Sequence, residues 1–384
     1  MRDYVAAKIG EFSRKLAYAR EALTDLSVGR EHQALFVELH SVCDEIEELL
    51  RLTRALQALD LPQLFRRQQV TLARIRQRLE LLEESYLPAL RHEGLEELRV
   101  SHIISRLLQE LQISWMADKV VSFHRSLSMY PGIMKCPIFY MPRYTRRNFL
   151  DWLGLYHEIG HTVYQQFPEI GSRLSEAVFA YCQEQLRQAP ALTTSQLNRR
   201  TERFRQTLLY WNNFRLEELF CDIFASMVAG PAYLFSWVDV SLTSLSGPYE
   251  IDLNDEHPPN AARTQACMLA LHDNFADEPL KLASHDLWER FLDRRVRPPL
   301  FNQMCPFPLI LAVVRAAQDE SALRGFPFYS KPLISPPQSL AFEGTENLQE
   351  LVNIAMVNCL FASERFSEWQ DMIGERLYPT QGGA

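Results

Sequence analysis

Apolar residues recur in alternating steps of four and three through Leu35, Leu39, Val42, Ile46, Leu49, Thr53 and Leu56. That spacing is the a/d seam of a helix packed lengthwise on a partner. The seam stops at Leu59-Asp60-Leu61-Pro62-Gln63, where Pro62 interrupts it. A second seam runs through Leu72, Ile75, Leu79, Leu82 and Tyr86 and ends near Pro88. Residues 4–25 and 94–123 carry helical patterns as well. Three or four long helices with short connections predict an antiparallel bundle over residues 1–127.

The pattern then changes. Three prolines punctuate residues 128–148 around the β-friendly run Cys136-Pro137-Ile138-Phe139-Tyr140-Met141-Pro142. This predicts a short strand over 136–141, bounded by prolines as edge strands are. Helical periodicity returns over Arg147–Gln166, over 171–187 and in a long run over 194–229 ended by Gly230-Pro231. Proline-rich connections follow near 257 and over 326–339, the second long enough for an ordered loop crossing a surface. A last amphipathic helix is expected over 348–369. The fold class is therefore mainly α with a small β component: an N-terminal helical bundle (1–127) and a second domain (128–384).

Residues 223–238 form the longest apolar run, but it has 16 residues with Gly230-Pro231 at its middle. A membrane-spanning helix needs about 20, so the run predicts a buried helix followed by a turn, and no membrane span. At 384 residues, 47% hydrophobic and 23% charged, the chain can bury a sizeable core in about two domains. The net charge of −8 weighs against a nucleic-acid partner. Arginines crowd the helices around 51–78, and neighbouring glutamates make these solvated faces, or alternatively a docking surface for an acidic partner. The seven cysteines are odd in number and scattered, with no C-x-x-C pair. That points to reduced thiols and a cytoplasmic location. The charged N-terminus has no apolar signal region.

The chemistry lies in the segment Tyr156-His157-Glu158-Ile159-Gly160-His161. On a helix, residues four apart point from the same face, about 6 Å apart along the axis. His157 and His161 can thus share one Zn²⁺, while Glu158, about 100° round, stands beside the metal as a general base would. A catalytic zinc needs a third protein ligand and an open position. Glu218 and Asp222, again four apart on a helical run, offer a ligand and an acceptor for the second ring N–H of a ligand histidine. Glu217 is the rival third ligand. Carboxylates in so apolar a run need a cation or strong donors to balance them.

H-E-x-x-H followed by E-x-x-x-D resembles the gluzincin class of zinc metallopeptidases. The segment His257-Pro258-Pro259-Asn260-Ala261-Ala262-Arg263 is similar to the H-P-x-x-x-x-R stretch of the HtpX and CAAX prenyl endopeptidase group. The resemblance covers scattered motifs between 157 and 263. It implies a zincin-like α+β domain with a short edge strand before the motif helix. It also implies Zn²⁺ held by His157, His161 and Glu218, with Glu158 as base and Asp222 as orienter. His257 would then lie near the substrate carbonyl as an oxyanion stabiliser, and Arg263 would be structural or near the site. Tyr140 and Tyr144 are weaker candidates for contact with substrate, and the strand holding Tyr140 is placed to pair with an extended peptide. The expected activity is narrow metalloendopeptidase cleavage of a protein or peptide substrate. The N-terminal helices would shield the cleft or dock a regulatory partner. The alternative is a regulatory interaction protein on a metallopeptidase-like fold, with structural or rarely used zinc.

Overall fold

The computed structural model describes residues 2–25, 33–59, 64–80, 82, 86–87, 95–115, 120–124, 128–133, 136–142, 149–188, 193–211, 213–244, 246–271, 275, 278–293, 295–330, 347–361, 366, 369 and 372–373. They are mainly helical and fall into two compact units, 1–108 with 113–143, and 109–112 with 144–384.

In the first unit, α1 (Arg2–Asp25), α2 (Gln33–Ala58) and α3 (Phe65–Glu80) pack on one another. Their shared core holds Val5, Ile9 and Phe12 of α1, Leu39, Val42 and Ile46 of α2, and Ile75 and Leu79 of α3. The second seam is buried throughout, from Leu72 to Tyr86. Along α2 the buried line passes through Cys43 and Leu50, while Leu49 is only partly covered. A straight helix drifts from a strict seven-residue repeat by about 20° per heptad, which moves the contact from position 49 to 50. The interruption expected at Pro62 lies outside the described residues.

The helix expected over 94–123 is shorter: α4 is Leu95–Glu110. Gln112 takes φ 59°, the left-handed conformation that ends helices. The Ile113 N–H then bonds Leu108 O at 2.8 Å and the Gln112 N–H bonds Gln109 O at 3.0 Å, satisfying the terminal carbonyls. The β-branched pair Val120-Val121 starts a strand instead, β1 (Val120–His124). With β2 (Ser128–Ile133) and β3 (Cys136–Pro142) it makes a three-stranded sheet of order β1-β3-β2. The strand predicted from the proline-bounded run is present, but as the centre of the sheet and not its edge. It runs parallel to β1 and antiparallel to β2. Its prolines are tolerated there because Pro137 falls at the register break between Tyr130 and Ile133, and Pro142 closes the ladder opposite His124. Both ladder edges of β3 are taken, so it has no free edge for a peptide. The sheet clusters with the first unit, and Tyr140 packs on its helical core. The division thus falls after Arg143, where the sequence pattern placed it at 127/128.

The second unit opens with a 3₁₀ turn, Phe149–Trp152, running into α5 (Leu153–Gln166), the motif helix. Then come α6 (Pro168–Arg187), α7 (Thr194–Tyr210), α8 (Asn213–Ala229), α9 (Pro231–Thr243), α10 (Asn260–Ala270), α11 (Pro279–Leu292), α12 (Pro299–Met304), α13 (Phe307–Leu323) and α14 (Leu348–Phe361). The single long helix expected over 194–229 is two. Trp211 leaves helical geometry at φ −80°, ψ 59°, and its indole N–H reaches Met304 O at 2.7 Å. Arg215 then donates to the Tyr210 carbonyl that the break exposes, at 3.0 Å.

Helix α8 is the axis of this unit, touching α5, α6, α9, α10, α13 and α14. Leu216, Leu219, Phe220, Ile223, Phe224 and Val228 are fully buried. A helix covered on every side is apolar all round, and the run continues past Gly230 because Ala232, Leu234 and Val238 of α9 are buried too. No described helix is long and apolar enough to cross a membrane. Gly230 has φ 73°, and a Cβ there would run into the Tyr329 ring, so only glycine makes the turn from α8 to α9. Of the proline-rich loop over 326–339, residues 331–339 lie outside the described set.

Candidate metal centre

Two helices, α5 and α8, bring the site together. They pack closely because of Gly160: a Cβ there would stand 2.9 Å from Cys221 Cα. His157 and His161 lie on either side of this contact, one turn apart, with ring centroids separated by 5.1 Å. The close approach aims both imidazoles at the carboxylates of α8.

Each histidine has its Nδ1 occupied. His157 Nδ1 lies 3.0 Å from Asp222 Oδ1, and His161 Nδ1 lies 3.0 Å from Glu217 Oε1. In the neutral imidazoles, carboxylates on both Nδ1 positions select the Nδ1–H tautomers and turn the Nε2 lone pairs to the other side. Both Nε2 atoms face Glu218: His157 at 3.4 Å from Oε2 and His161 at 3.4 Å from Oε1. Neighbouring ligand atoms on a tetrahedral ion with bonds of about 2.0–2.1 Å are separated by about 3.3–3.4 Å. Glu218 Oε2 is buried and has no hydrogen-bond partner.

Asp222 is fully buried beneath this group. Arg263 grips it through Nε at 2.5 Å and through a terminal nitrogen at 2.9 Å. The Tyr233 hydroxyl donates to Asp222 Oδ1 at 2.8 Å. The Arg263 guanidinium stacks 4.0 Å from the Trp237 ring, whose N–H is anchored on Thr264 at 3.1 Å. Burial alone would raise the Asp222 carboxyl, but the Arg263 charge and the His157 hydrogen bond hold it well below the usual range. Burial also pushes against Glu218, and its contacts with His157 together with Arg263 and His161 bring it down to about 2. His157 shows the other side of that balance: burial disfavours its charge, yet Asp222 and Glu218 push it up to about 9. Arg263 faces Glu218 at 3.6 Å as well as Asp222, while Glu217 is taken up by His161 and Gln165, and Glu158 of α5 is partly buried.

His157, His161 and Cys221 are a trio able to hold a metal ion, with ligand atoms within 4.8 Å of one another. The Cys221 thiol, however, is pushed well above its usual value by burial and by the Glu218 and Glu217 carboxylates.

His257 approaches from the loop before α10, half-exposed, with Nε2 3.4 Å from Glu218 Oε2. Its Nδ1 and backbone N–H are both held by Asp255 Oδ1, at 2.7 and 2.9 Å. Buried Arg215 ties the same loop down, donating to the carbonyls of Asp252, Leu253 and Asp255. Tyr140 belongs to the other unit, and Tyr144 lies outside the described residues.

Three contributors had no signal in the sequence pattern. Tyr233 and Trp237 lie beyond the Gly230 turn, so no helical spacing links them to Asp222. Arg215 acts on carbonyls 37–40 residues away. Glu217 entered as a rival ligand, whereas its carboxylate orients His161 and accepts from Gln165 at 3.1 Å. A pair of carboxylates serving a pair of histidines was the available clue. No protein-family model, curated protein or solved structure matches this chain.

Proposed function

We propose that the chain is a zinc-dependent metallopeptidase whose metal is held by His157, His161 and Glu218. The observation carrying this is the approach of two oriented Nε2 atoms to one largely buried carboxylate, each 3.4 Å from one of the Glu218 oxygens, of which Oε2 has no hydrogen bond. Glu218 is preferred to Cys221 because it is anionic at neutral pH, while the thiol would have to lose a proton among carboxylates. The zincin-like reading of residues 128–384 rests on the same motifs.

When bound, Zn²⁺ supplies a Lewis acid that acidifies a water and polarises a carbonyl. Glu158 takes the proton of the attacking water and passes it to the leaving amine. His257, when protonated, donates from Nε2 to the developing oxyanion while Asp255 holds its other nitrogen. Asp222 fixes the His157 ring, and Tyr233 and Arg263 fix Asp222.

The test is Glu158→Gln with metal analysis and cleavage of a peptide library. Zinc should remain near one equivalent and turnover should fall by about 10²–10⁴-fold. Wild-type turnover in this variant sinks the mechanism. Zinc bound by the wild type without any turnover supports the regulatory alternative instead.

A further inference from the structure

Away from the metal centre, the same unit holds a cavity of about 750 Å³ between α6, α7 and α12. Ligand pockets span about 300–1,000 Å³. Its main wall is one stripe of α7: Gln196, Arg199, Arg200, Arg203, Phe204 and Thr207. These residues recur at the three- and four-residue steps of a single helix face. Arg199 and Arg203 stand exposed along its rim and Arg200 is half-buried, and no aspartate or glutamate lines the cavity.

The arginines are also unpaired with acids. Arg199 bonds only Ser195, through its carbonyl and hydroxyl. Arg200 donates to the Gln185 carbonyl at 2.8 Å and lies 5.8 Å from the Phe204 ring centre. No side-chain partner of Arg203 is present among the described residues. The acid within this stretch, Glu202, is bound to Arg205 away from the cavity. In a chain of net charge −8, three arginines without acidic partners around one hollow make it a place where an anion would be favoured. The remaining lining gives the ligand a second part. Tyr181 of α6 and Phe204 offer ring faces, and Asn302 and Gln303 of α12 offer amide donors and acceptors.

We propose that this cavity binds a phosphate-bearing small molecule with a planar ring, of the nucleotide class, its phosphates on Arg199, Arg200 and Arg203 and its ring against Tyr181 and Phe204. The α7 residues are solvated side chains on a helix capped by the Thr193–Gln196 box, so charge-removing substitutions there leave the fold intact.

Isothermal titration of the zinc-loaded protein with ADP, pyrophosphate and adenosine tests this. ADP is expected to bind more tightly than either fragment. Its affinity should fall by about 10-fold or more in the Arg199→Gln/Arg203→Gln double variant. Asn302→Asp, which changes little but the charge, should weaken it as well. ADP binding equally to wild type and the double variant overturns the proposal. So does pyrophosphate binding as tightly as ADP, which reduces the cavity to an anion patch. Repeating the titration with EDTA separates the two sites: unchanged affinity supports the cavity, whereas binding lost with the metal places ADP at the metal and overturns it.

Discussion

Asp222 accepts from His157, Tyr233 and Arg263 with its two oxygens, and none of these donors is exposed to water to any large extent. A buried carboxylate so surrounded stays ionised, and an ionised acceptor strengthens the ligand histidine it holds. Tyr233 is the removable part of that arrangement. Tyr233→Phe keeps the ring and deletes one donor, so zinc affinity, measured by competition with a chromogenic chelator, is expected to fall by about 10-fold. Asp222→Asn, which loses the charge opposite Arg263, should fall further, towards about 100-fold. Unchanged affinity in both would show that the histidine is oriented by its helix alone. Asp222 was legible because Glu218 precedes it by one helical turn. Tyr233 was not, because the Gly230 turn ends the periodicity that could have linked them.

Among the elements, the α5–α8 pair determines the geometry. Gly160 lets the helices approach until Cys221 fills the space a side chain would need. Gly160→Val must push them apart, and overpacking of this kind costs about 1–3 kcal/mol. Urea unfolding should show that loss, and zinc affinity should fall with it, since the histidines and Glu218 lie on opposite helices. A variant losing stability alone would mean that the site tolerates the separation. Helix existence was readable from apolar spacing for α1 to α6 and α14, whereas α9 to α13 were not anticipated. Besides the helix expected over 94–123, which ends at Glu110, two elements were misplaced for identifiable reasons. The run 194–229 reads as continuous because nothing before Gly230 breaks helical preference, yet Trp211 finds its partner on Met304 and bends the chain. The strand at 136–142 reads as an edge because of its prolines, yet both prolines sit where the ladder is interrupted or ends.

At the scale of the molecule, the metal-free centre makes stability depend on pH. His157 is raised from 6.5 to about 9, so its contribution is complete below 6.5 and is lost as pH rises through about 9. Glu218 is lowered from 4.5 to about 2, so its contribution is present above 4.5 and is lost as pH falls through about 2. Elsewhere in the unit, buried Glu278 is raised by desolvation from 4.5 to about 7, which removes stability as pH climbs between those values with or without metal. Zinc must displace the His157 proton, so its apparent affinity should rise about tenfold per pH unit up to about 9. The melting temperatures of zinc-loaded and EDTA-treated protein should therefore diverge from pH 6.5 to 9. A gap that stays constant over that range would show that His157 is not the proton displaced.

The local periodicities were enough to establish a mainly helical chain, the seams of its first helices, and two i, i+4 pairs of metal-binding character. These follow from the 3.6-residue repeat, which any reader of the chain can apply without knowing what packs where. Distance in sequence defeats that rule. Only folding shows that Glu217 and Glu218 divide their tasks between His161 and the shared centre, and that Arg263 neutralises Asp222. The loop carrying His257 is likewise held by an arginine of α8. Such pairings depend on which helices become neighbours, and the burial of apolar faces selects those neighbours without regard to the polar groups they bring together.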